Sequence, residues 1–364
     1  MKVGQNCFWW DLIWPKGVFK LQNILKLQKK IVPELLEVLE KRYNILRTIY
    51  YNQPIGRRVL ANNLTLGERI VRTEINFLKS QNLIEINTPG MTVTNDGKEI
   101  LENLNEFIHE IKGLSDLEKE VKEILGIGKV IIVPGDVYRD ETVLKELGKA
   151  TSLYLKKIIK NNDVVALTGG GTVREVVEHF PKMHHTENIL VVPARGGMGK
   201  KVENQANTLA GKLAGKLNGQ YKMLHVPENL NEEILETLLQ QKEMKEVINN
   251  IHQANIVIYG IGRAERMAKK RGFSEDEINN LEKLGAIGEA LGSYFNKRSQ
   301  VVFLNTNIGI NRNEMNKDAI HIAVAGGSNK AEAILAIDLS HPNVVLVTDE
   351  GAAEGIINRL NHKI

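Results

Sequence analysis

Apolar positions recur at two different periods along this chain, and the place where the period changes divides it. Within residues 29–51, Leu35, Val38, Leu39, Leu46 and Ile49 stand at helical spacing, with Pro33 near the start, where a first turn tolerates it. Gln53-Pro54-Ile55-Gly56 reads as a turn. Two short helical patterns follow, 57–63 and 68–81, separated by Leu64-Thr65-Leu66-Gly67. Residues 83–87 and 91–94 flank Thr88-Pro89-Gly90, which predicts a short β-hairpin. Residues 98–112 are helical again, with Ile100, Leu101, Leu104, Phe107, Ile108 and Ile111 on one broad face. Gly113 breaks that pattern, and Ser115 with Glu118 predicts a capping box for a helix ending near Gly126.

From Val130 onward, short β-branched apolar runs alternate with helical stretches. The runs are 130–133, 164–167, 189–192, 255–259, 320–325 and 344–347. Runs that are apolar throughout, with helices between them, predict strands buried on both faces of a parallel α/β sheet. The chain shows no sequence repeat and no low-complexity tract.

A length of 364 residues favours two domains, with the boundary near Gly113. The expected organisation is a leader over 1–24, a DNA-binding domain with a linker helix over 25–112, and an effector domain over 113–364. A composition of 42% hydrophobic and 25% charged residues is that of an ordinary soluble globular protein. Cys7 is the single cysteine, which rules out an intramolecular disulfide and suits a reducing cytoplasm. No apolar run approaches the roughly 20 residues of a membrane span. Phe8, Trp9, Trp10 and Trp14 are interrupted by Asp11 and Pro15, with no small-residue cleavage site after them, so no signal peptide is read there. That stretch reads as a disordered leader or a start codon placed too far upstream.

Charge changes the picture more than composition does. Residues 41–80 hold eight Lys and Arg against two acids, a surplus of six beside a whole-chain net charge of +4. A basic segment attached to a near-neutral body suggests a polyanion-binding module with a separate second task. The order helix, short helix, turn, second helix, hairpin is that of a winged helix-turn-helix, whose second helix lies in the DNA major groove. On that helix Ile70, Val71, Ile75 and Leu78 are expected to face inward, while Arg69, Arg72, Thr73, Asn76 and Lys79 point away. Arginine can bind guanine edges bidentately and asparagine adenine edges, so this face has the chemistry for base readout. Arg57 and Arg58, at the start of the preceding helix, are placed for phosphate contacts. The competing reading is an ordinary solvated helix face.

Four glycine-rich segments follow predicted strands in the second half. They are Thr168-Gly169-Gly170-Gly171-Thr172, Arg195-Gly196-Gly197, Gly260-Ile261-Gly262 and Gly326-Gly327-Ser328-Asn329-Lys330. Ligands of open α/β sheets bind beyond the carboxyl ends of the strands, where such loops gather. Glycines let the backbone approach an anion, and the next helix start donates N–H groups to it. Arg195 and Lys330 add cations suited to phosphate. Neither a Walker A loop nor a strict dinucleotide fingerprint occurs. His184-His185 lies in a polar loop and reads as solvated rather than as a metal site.

Four stretches resemble the central glycolytic genes regulator family, within the SorC/DeoR group of sugar-responsive regulators. They are YYNQPIGRRVLANNLTLGERIVRTEINFLKSQNL (50–83), VPARGGMGKKVENQANTLA (192–210), AVAGGSNKAEAI (323–334) and VLVTDEGAA (345–353). The resemblance runs in order over roughly residues 25–364. It implies a repressor of a glycolytic operon with fructose 1,6-bisphosphate as its effector and no cofactor. It also implies a C-terminal fold similar to glucosamine-6-phosphate deaminase and ribose-5-phosphate isomerase. The implied effector residues are Gly169, Gly170, Gly171, Thr172, Arg195, Gln205, Lys270, Glu289 and Lys330. Gly171 stands where the family has threonine, and Lys270 where arginine is usual. The expected grouping puts the 169–172 loop with Lys330 on one phosphate and Arg195 with Lys270 on the other. Glu289 would accept sugar hydroxyls, or else be an exposed helix carboxylate.

The rival reading is a sugar-phosphate isomerase or deaminase with an accessory DNA-binding domain. Glu289, Asp349 and Glu350 are its available acids, and Asp349-Glu350-Gly351 is expected to end the last strand as a turn. No convincing acid–base pair emerges. The partners expected are operator DNA, a phosphosugar and a second copy of the chain, as a homodimer or tetramer joined partly through the apolar face of 98–112. No membrane partner is expected.

Overall fold

Ile45, Leu46 and Ile49 share one side of a helix and, like Leu36 nearer its start, are buried, which fixes how the first helix, α1 (Pro33–Asn52), closes over a small core. The computed structural model describes residues 30–196, 201–224, 226, 237, 240–305, 316 and 318–361. The leader expected over 1–24 and Gly197 of the second glycine segment lie outside the described residues. The chain divides into two compact units, Met1–Gly113 and Leu114–Ile364.

In the first unit α1 is followed by α2 (Arg57–Asn63), α3 (Glu68–Ser80), the antiparallel hairpin β1 (Ile84–Asn87) and β2 (Gly90–Val93), and α4 (Asn95–Ile111). The hairpin is pinned to the turn before α2. Ile55 N–H donates to the Met91 carbonyl at 3.2 Å and Met91 N–H donates back at 2.8 Å. The Gln53 side-chain oxygen accepts from Val93 N–H at 2.7 Å. Two expectations fail here. Ile70 is 46% exposed, because the inward stripe of α3 runs through Val71, Glu74, Ile75 and Leu78. The wide apolar face of α4, expected to help join subunits, is turned mostly into the unit's own core. Leu101, Ile108 and Ile111 are buried in the unit's own core, Leu104 and Phe107 pack against it, and Ile100 alone of the named six is exposed.

The second unit opens with α5 (Leu114–Leu125), β3 (Lys129–Val133), α6 (Thr142–Ile158), β4 (Val164–Leu167), α7 (Gly171–His179) and β5 (Leu190–Pro193). It continues with α8 (Ala206–Leu217), β6 (Gln220–Tyr221), α9 (Lys242–His252), β7 (Ile256–Gly260), β8 (Gly262–Arg263), α10 (Ala264–Lys270) and α11 (Glu275–Lys283). β9 (Gly288–Ala290), β10 (Ser293–Phe295), β11 (Val301–Leu304), β12 (Ile320–Val324), α12 (Ala331–Ala336), β13 (Val344–Asp349) and α13 (Glu350–Asn361) complete it. The expected capping box is absent. α5 starts at Leu114, so Ser115 lies inside the first turn, and the Glu118 carboxylate accepts instead from Ile132 N–H at 2.8 Å. Nor does a turn follow β13, since α13 begins directly at Glu350.

The six apolar runs, with the exposed two-residue β6 added at one edge, form a seven-stranded, wholly parallel sheet in the order β3-β13-β12-β7-β4-β5-β6. Central strand residues such as Val165, Ala166 and Leu167 are fully buried between helices on the two faces. Each such Val or Leu contributes about 1.5–3 kcal/mol by leaving water. A second sheet, antiparallel and ordered β11-β10-β9-β8, had no counterpart in the apolar pattern. Its strands are two to four residues long, too short to show a period of two.

Candidate functional site

The chain leaves β4 toward β5 on one side and leaves β7 toward β12 on the other, so the strand order reverses between β4 and β7. A crevice must open at such a point beyond the carboxyl ends of the strands. A cavity of about 550 Å³ lies there, walled by the loops after β3, β4, β5, β7 and β12 and by α10. That volume falls within the range of small-molecule sites. All the implied effector positions line it except Gln205. Gln205 sits at the N-cap of α8, beside Asn204, whose carbonyl accepts from Gly170 N–H at 2.8 Å.

After β4 the backbone swings through Gly170 at φ +119°, a conformation that disfavours any side chain, and enters α7 at Gly171. The first amides of α7 have no acceptor within the helix, and Gly171, Thr172 and Val173 line the cavity. The helix therefore presents donors and the positive end of its dipole to a ligand anion.

On another wall, Lys330 closes a short 3₁₀ turn (Ser328–Lys330) after β12. Burial, then Arg266 and Lys270, push its amine down to about 8, against the pull of Asp349. Lys270 is also held below the ordinary lysine range, first by burial and then by Arg266 and Lys201. Lys270 thus acts on Lys330, although the two were expected to serve different phosphates.

The loops that carry these groups are sewn together by acids. Asp349, fully buried at the end of β13, accepts from Val137 N–H and Gly327 N–H at 2.7 Å and from Ala352 N–H at 2.8 Å. Burial pushes its carboxyl up to about 6 despite those three bonds. Asp136 accepts from Tyr138 N–H and Ser328 N–H, both at 2.9 Å, and Glu350 accepts from Gly135 N–H at 2.8 Å. The loop after β3, with Tyr138 67% exposed at the cavity wall, is thus fastened to the loop that carries Lys330. Asp349 and Glu350 are occupied with backbone amides, which removes them as ready general bases.

The small sheet supplies the remaining wall. Glu289 lies on strand β9 and is 2% exposed, so it is not an exposed helix carboxylate. Its Oε1 accepts from the Arg271 guanidinium and from Gly292 N–H, both at 2.7 Å. Arg271 is itself buried, and nothing in the run Lys269-Lys270-Arg271 marks it in sequence as different from a solvated basic patch. Arg195 lies across the β9–β10 turn. Its guanidinium donates to the Leu291 carbonyl and, at 3.3 Å, to the Asn305 carbonyl. Any Cβ at Gly292, where φ is +82°, would collide with that guanidinium.

In the first unit, all seven residues assigned to DNA are exposed: Arg57, Arg58, Arg69, Arg72, Thr73, Asn76 and Lys79. Other members of the basic surplus are not on that face. Lys41 and Arg42 bind Glu74 at 2.9 and 2.8 Å, Arg42 stacks 3.5 Å over the Phe77 ring, and Arg47 is buried. Burial acts to raise the Glu74 carboxyl, but hydrogen bonds from Arg42 and Lys41 outweigh it and hold the group below its usual range. Among the described residues no group of three or more His, Cys, Asp or Glu could hold a metal ion, and His184 and His185 are exposed. No described helix is long and apolar enough to cross a membrane.

Comparison with known proteins agrees with both units. Residues 109–358 match the family described as "Putative sugar-binding domain", and residues 38–108 match the CggR N-terminal DNA binding domain. The chain is 40% identical to the central glycolytic genes regulator of Priestia megaterium, over 94% of this chain and 100% of that protein. The chain belongs to the central glycolytic genes regulator family. It is a transcriptional regulator, with a DNA-binding and a sugar-binding domain, and not an enzyme. The Bacillus subtilis member is also 40% identical, over 93% of this chain and 99% of that protein. A SorC family transcriptional regulator from Enterococcus faecalis superposes with TM-score 0.62 at 35% identity, covering 66% of this chain and 99% of that one. The full-length sorbitol operon regulator of Klebsiella pneumoniae shares the fold, at TM-score 0.62 and 20% identity, over 85% of this chain and 96% of that one.

Proposed function

We propose that this regulator represses a glycolytic operon in the cytoplasm and that a phosphorylated sugar, fructose 1,6-bisphosphate above others, relieves the repression. The observation that carries the reading is the cavity at the sheet's switch point, with helix amides on one wall and a cluster of cations on another. A bisphosphate brings about four negative charges at neutral pH. Gly169, Gly170, Gly171 and Thr172 would cradle one phosphate, and Lys330 with Lys270 would attract the other. Glu289, oriented by Arg271, would accept sugar hydroxyls, and Gln205 would brace the glycine loop from behind. Arg195 would join the ligand only by releasing the carbonyls it now holds. The parallel sheet with its ligand crevice also supports a kinship of fold with phosphosugar deaminases and isomerases.

For DNA, Arg69, Arg72, Thr73, Asn76 and Lys79 would meet the major groove and Arg57 and Arg58 the phosphates. One winged helix reads one half-site, so the working form would be a homodimer or tetramer. The test is a gel shift on the DNA upstream of the protein's own operon across a titration of sugar phosphates. Fructose 1,6-bisphosphate should weaken the complex, and Arg72→Ala should cost about 1–3 kcal/mol and relax sequence preference. A wild type indifferent to every bisphosphate, or Arg72→Ala with unchanged affinity and preference, contradicts the respective half.

A further inference from the structure

The five cations on and beside α10 are placed very differently, Arg271 being buried against Glu289 at 2.7 Å. Lys269 pairs with Glu265 at 2.6 Å, and Arg263 approaches the same carboxylate at 3.8 Å. Arg266 and Lys270 are four residues apart, hence on one face of the helix, and both line the cavity. Among the described residues Arg266 has no hydrogen-bond or ion-pair partner. It nevertheless stands close enough to Lys330 and Lys270 to depress both amines.

Three cations converging on one wall repel one another, and the carboxylate that acts on Lys330, Asp349, is already bonded to three backbone amides. Arg266 and Lys270 each keep part of the side chain exposed and could lean away into water, yet they line the same recess as Lys330. Such a gathering is stable when an anion completes it. A guanidinium offers parallel N–H donors that match two phosphate oxygens, which an amine cannot do. Arg195, the guanidinium that the sequence singled out for the effector, is committed to the Leu291 and Asn305 carbonyls.

We propose that Arg266 is a phosphate ligand of this cavity, forming with Lys270 and Lys330 a seat for the second phosphate of a bisphosphorylated sugar, separate from the amide-lined seat at α7. The inference rests on the sensing role proposed above. It makes Arg266 the residue that separates two-phosphate sugars from one-phosphate sugars.

The test is calorimetry on the full chain, comparing wild type, Arg266→Gln and Arg266→Lys. The probes are fructose 1,6-bisphosphate, fructose 1-phosphate and fructose 6-phosphate. Arg266→Gln should lose about tenfold or more in affinity for the bisphosphate, a charge-assisted contact removed. Binding of at least one monophosphate, seated at α7, should change by only about two- to threefold, through the longer-range field. Arg266→Lys, which keeps the charge and loses the fork, should fall between. Arg266→Gln that binds the bisphosphate like wild type overturns the assignment, as does an equal loss for all three sugars. A wild type that binds no bisphosphate removes the sensing role itself, and this seat with it.

Discussion

Glu74 in the DNA-binding domain and Lys330 in the sugar-binding domain are both charged groups turned inward, and their surroundings are opposite. Glu74 meets Lys41 and Arg42 at 2.9 and 2.8 Å, and these bonds keep it ionised against burial. Lys330 meets Arg266 and Lys270, charges of its own sign, and its amine is pushed down to about 8. The first arrangement is complete within the protein and holds α3 against α1, fixing the helix that presents Arg69, Arg72 and Asn76. The second is incomplete and favours whatever anion enters. One domain uses charge to keep a shape, the other to keep a place open.

Removing the charge at each position should therefore have effects of opposite sign. Lys330→Met should lower affinity for fructose 1,6-bisphosphate by about 100-fold, since a buried charged contact is lost. The same variant should resist chemical denaturation at least as well as wild type, because a poorly solvated cation has gone. A less stable Lys330→Met would mean that the cluster holds the fold and not the ligand.

Glu74→Gln should do the reverse. It removes the negative charge between Lys41 and Arg42, sets an NH2 donor against one of them, and should cost the DNA-binding domain about 1–3 kcal/mol, less than a deeply buried pair because both cations are about one-third exposed and can rehydrate. Effector affinity should not move. Denaturant unfolding followed by a probe in each domain distinguishes this from a global effect, and an unchanged midpoint in the DNA-binding domain would break the comparison.

The smallest effect is on pH. The protonated Lys330 amine is the form a phosphate favours, so bisphosphate affinity should be level near pH 7. It should then decline above about pH 8, by up to about tenfold per unit, until the amine's bound-state pKa is reached. Stability should move the other way over that range. The folded pKa lies below the ordinary 10.5, so the unfolded chain binds the proton more tightly, and this group's contribution to stability rises with pH between about 8 and 10.5. Calorimetric titrations from pH 6.5 to 9.5 read the first trend. Affinity that is flat across pH 8 in wild type would show that Lys330 does not meet the phosphate.

Much of the fold was legible because its elements are long and periodic. The helices around Val71, Ile75 and Leu78 and the apolar runs such as 164–167 carry their burial in their spacing. Ile70 adjoins the true stripe and so carries a false hydrophobic signal, while Glu74, a polar residue inside that stripe, carries none. The small antiparallel sheet was invisible for a physical reason: β8 and β9 are held by long-range pairing, not by local pattern. With it went the surroundings of Glu289 and the turn that engages Arg195. The glycine loops and Lys330 could be located because backbone freedom and charge leave marks in sequence. Arg266 and Arg271 could not, because exposed and buried arginines look alike in a basic run until the topology shows which of them faces the cavity.

The grip of Arg195 on the Leu291 and Asn305 carbonyls has a consequence for how the sensor is tuned. A phosphate that engages this guanidinium must outcompete two oxygens of the protein itself, so those carbonyls behave as a resident rival whose effective concentration never changes. On the sensing role proposed above, the sugar level at which the switch trips would then depend on how well the β9–β10 turn presents the Leu291 carbonyl, and Leu291 at φ +53° and Gly292 at +82° set that presentation. Substitutions in the turn would then shift that threshold up or down without altering the groups proposed to touch the sugar. Under that proposal sensitivity and selectivity would be adjustable on different residues, the first at the turn and the second on α10.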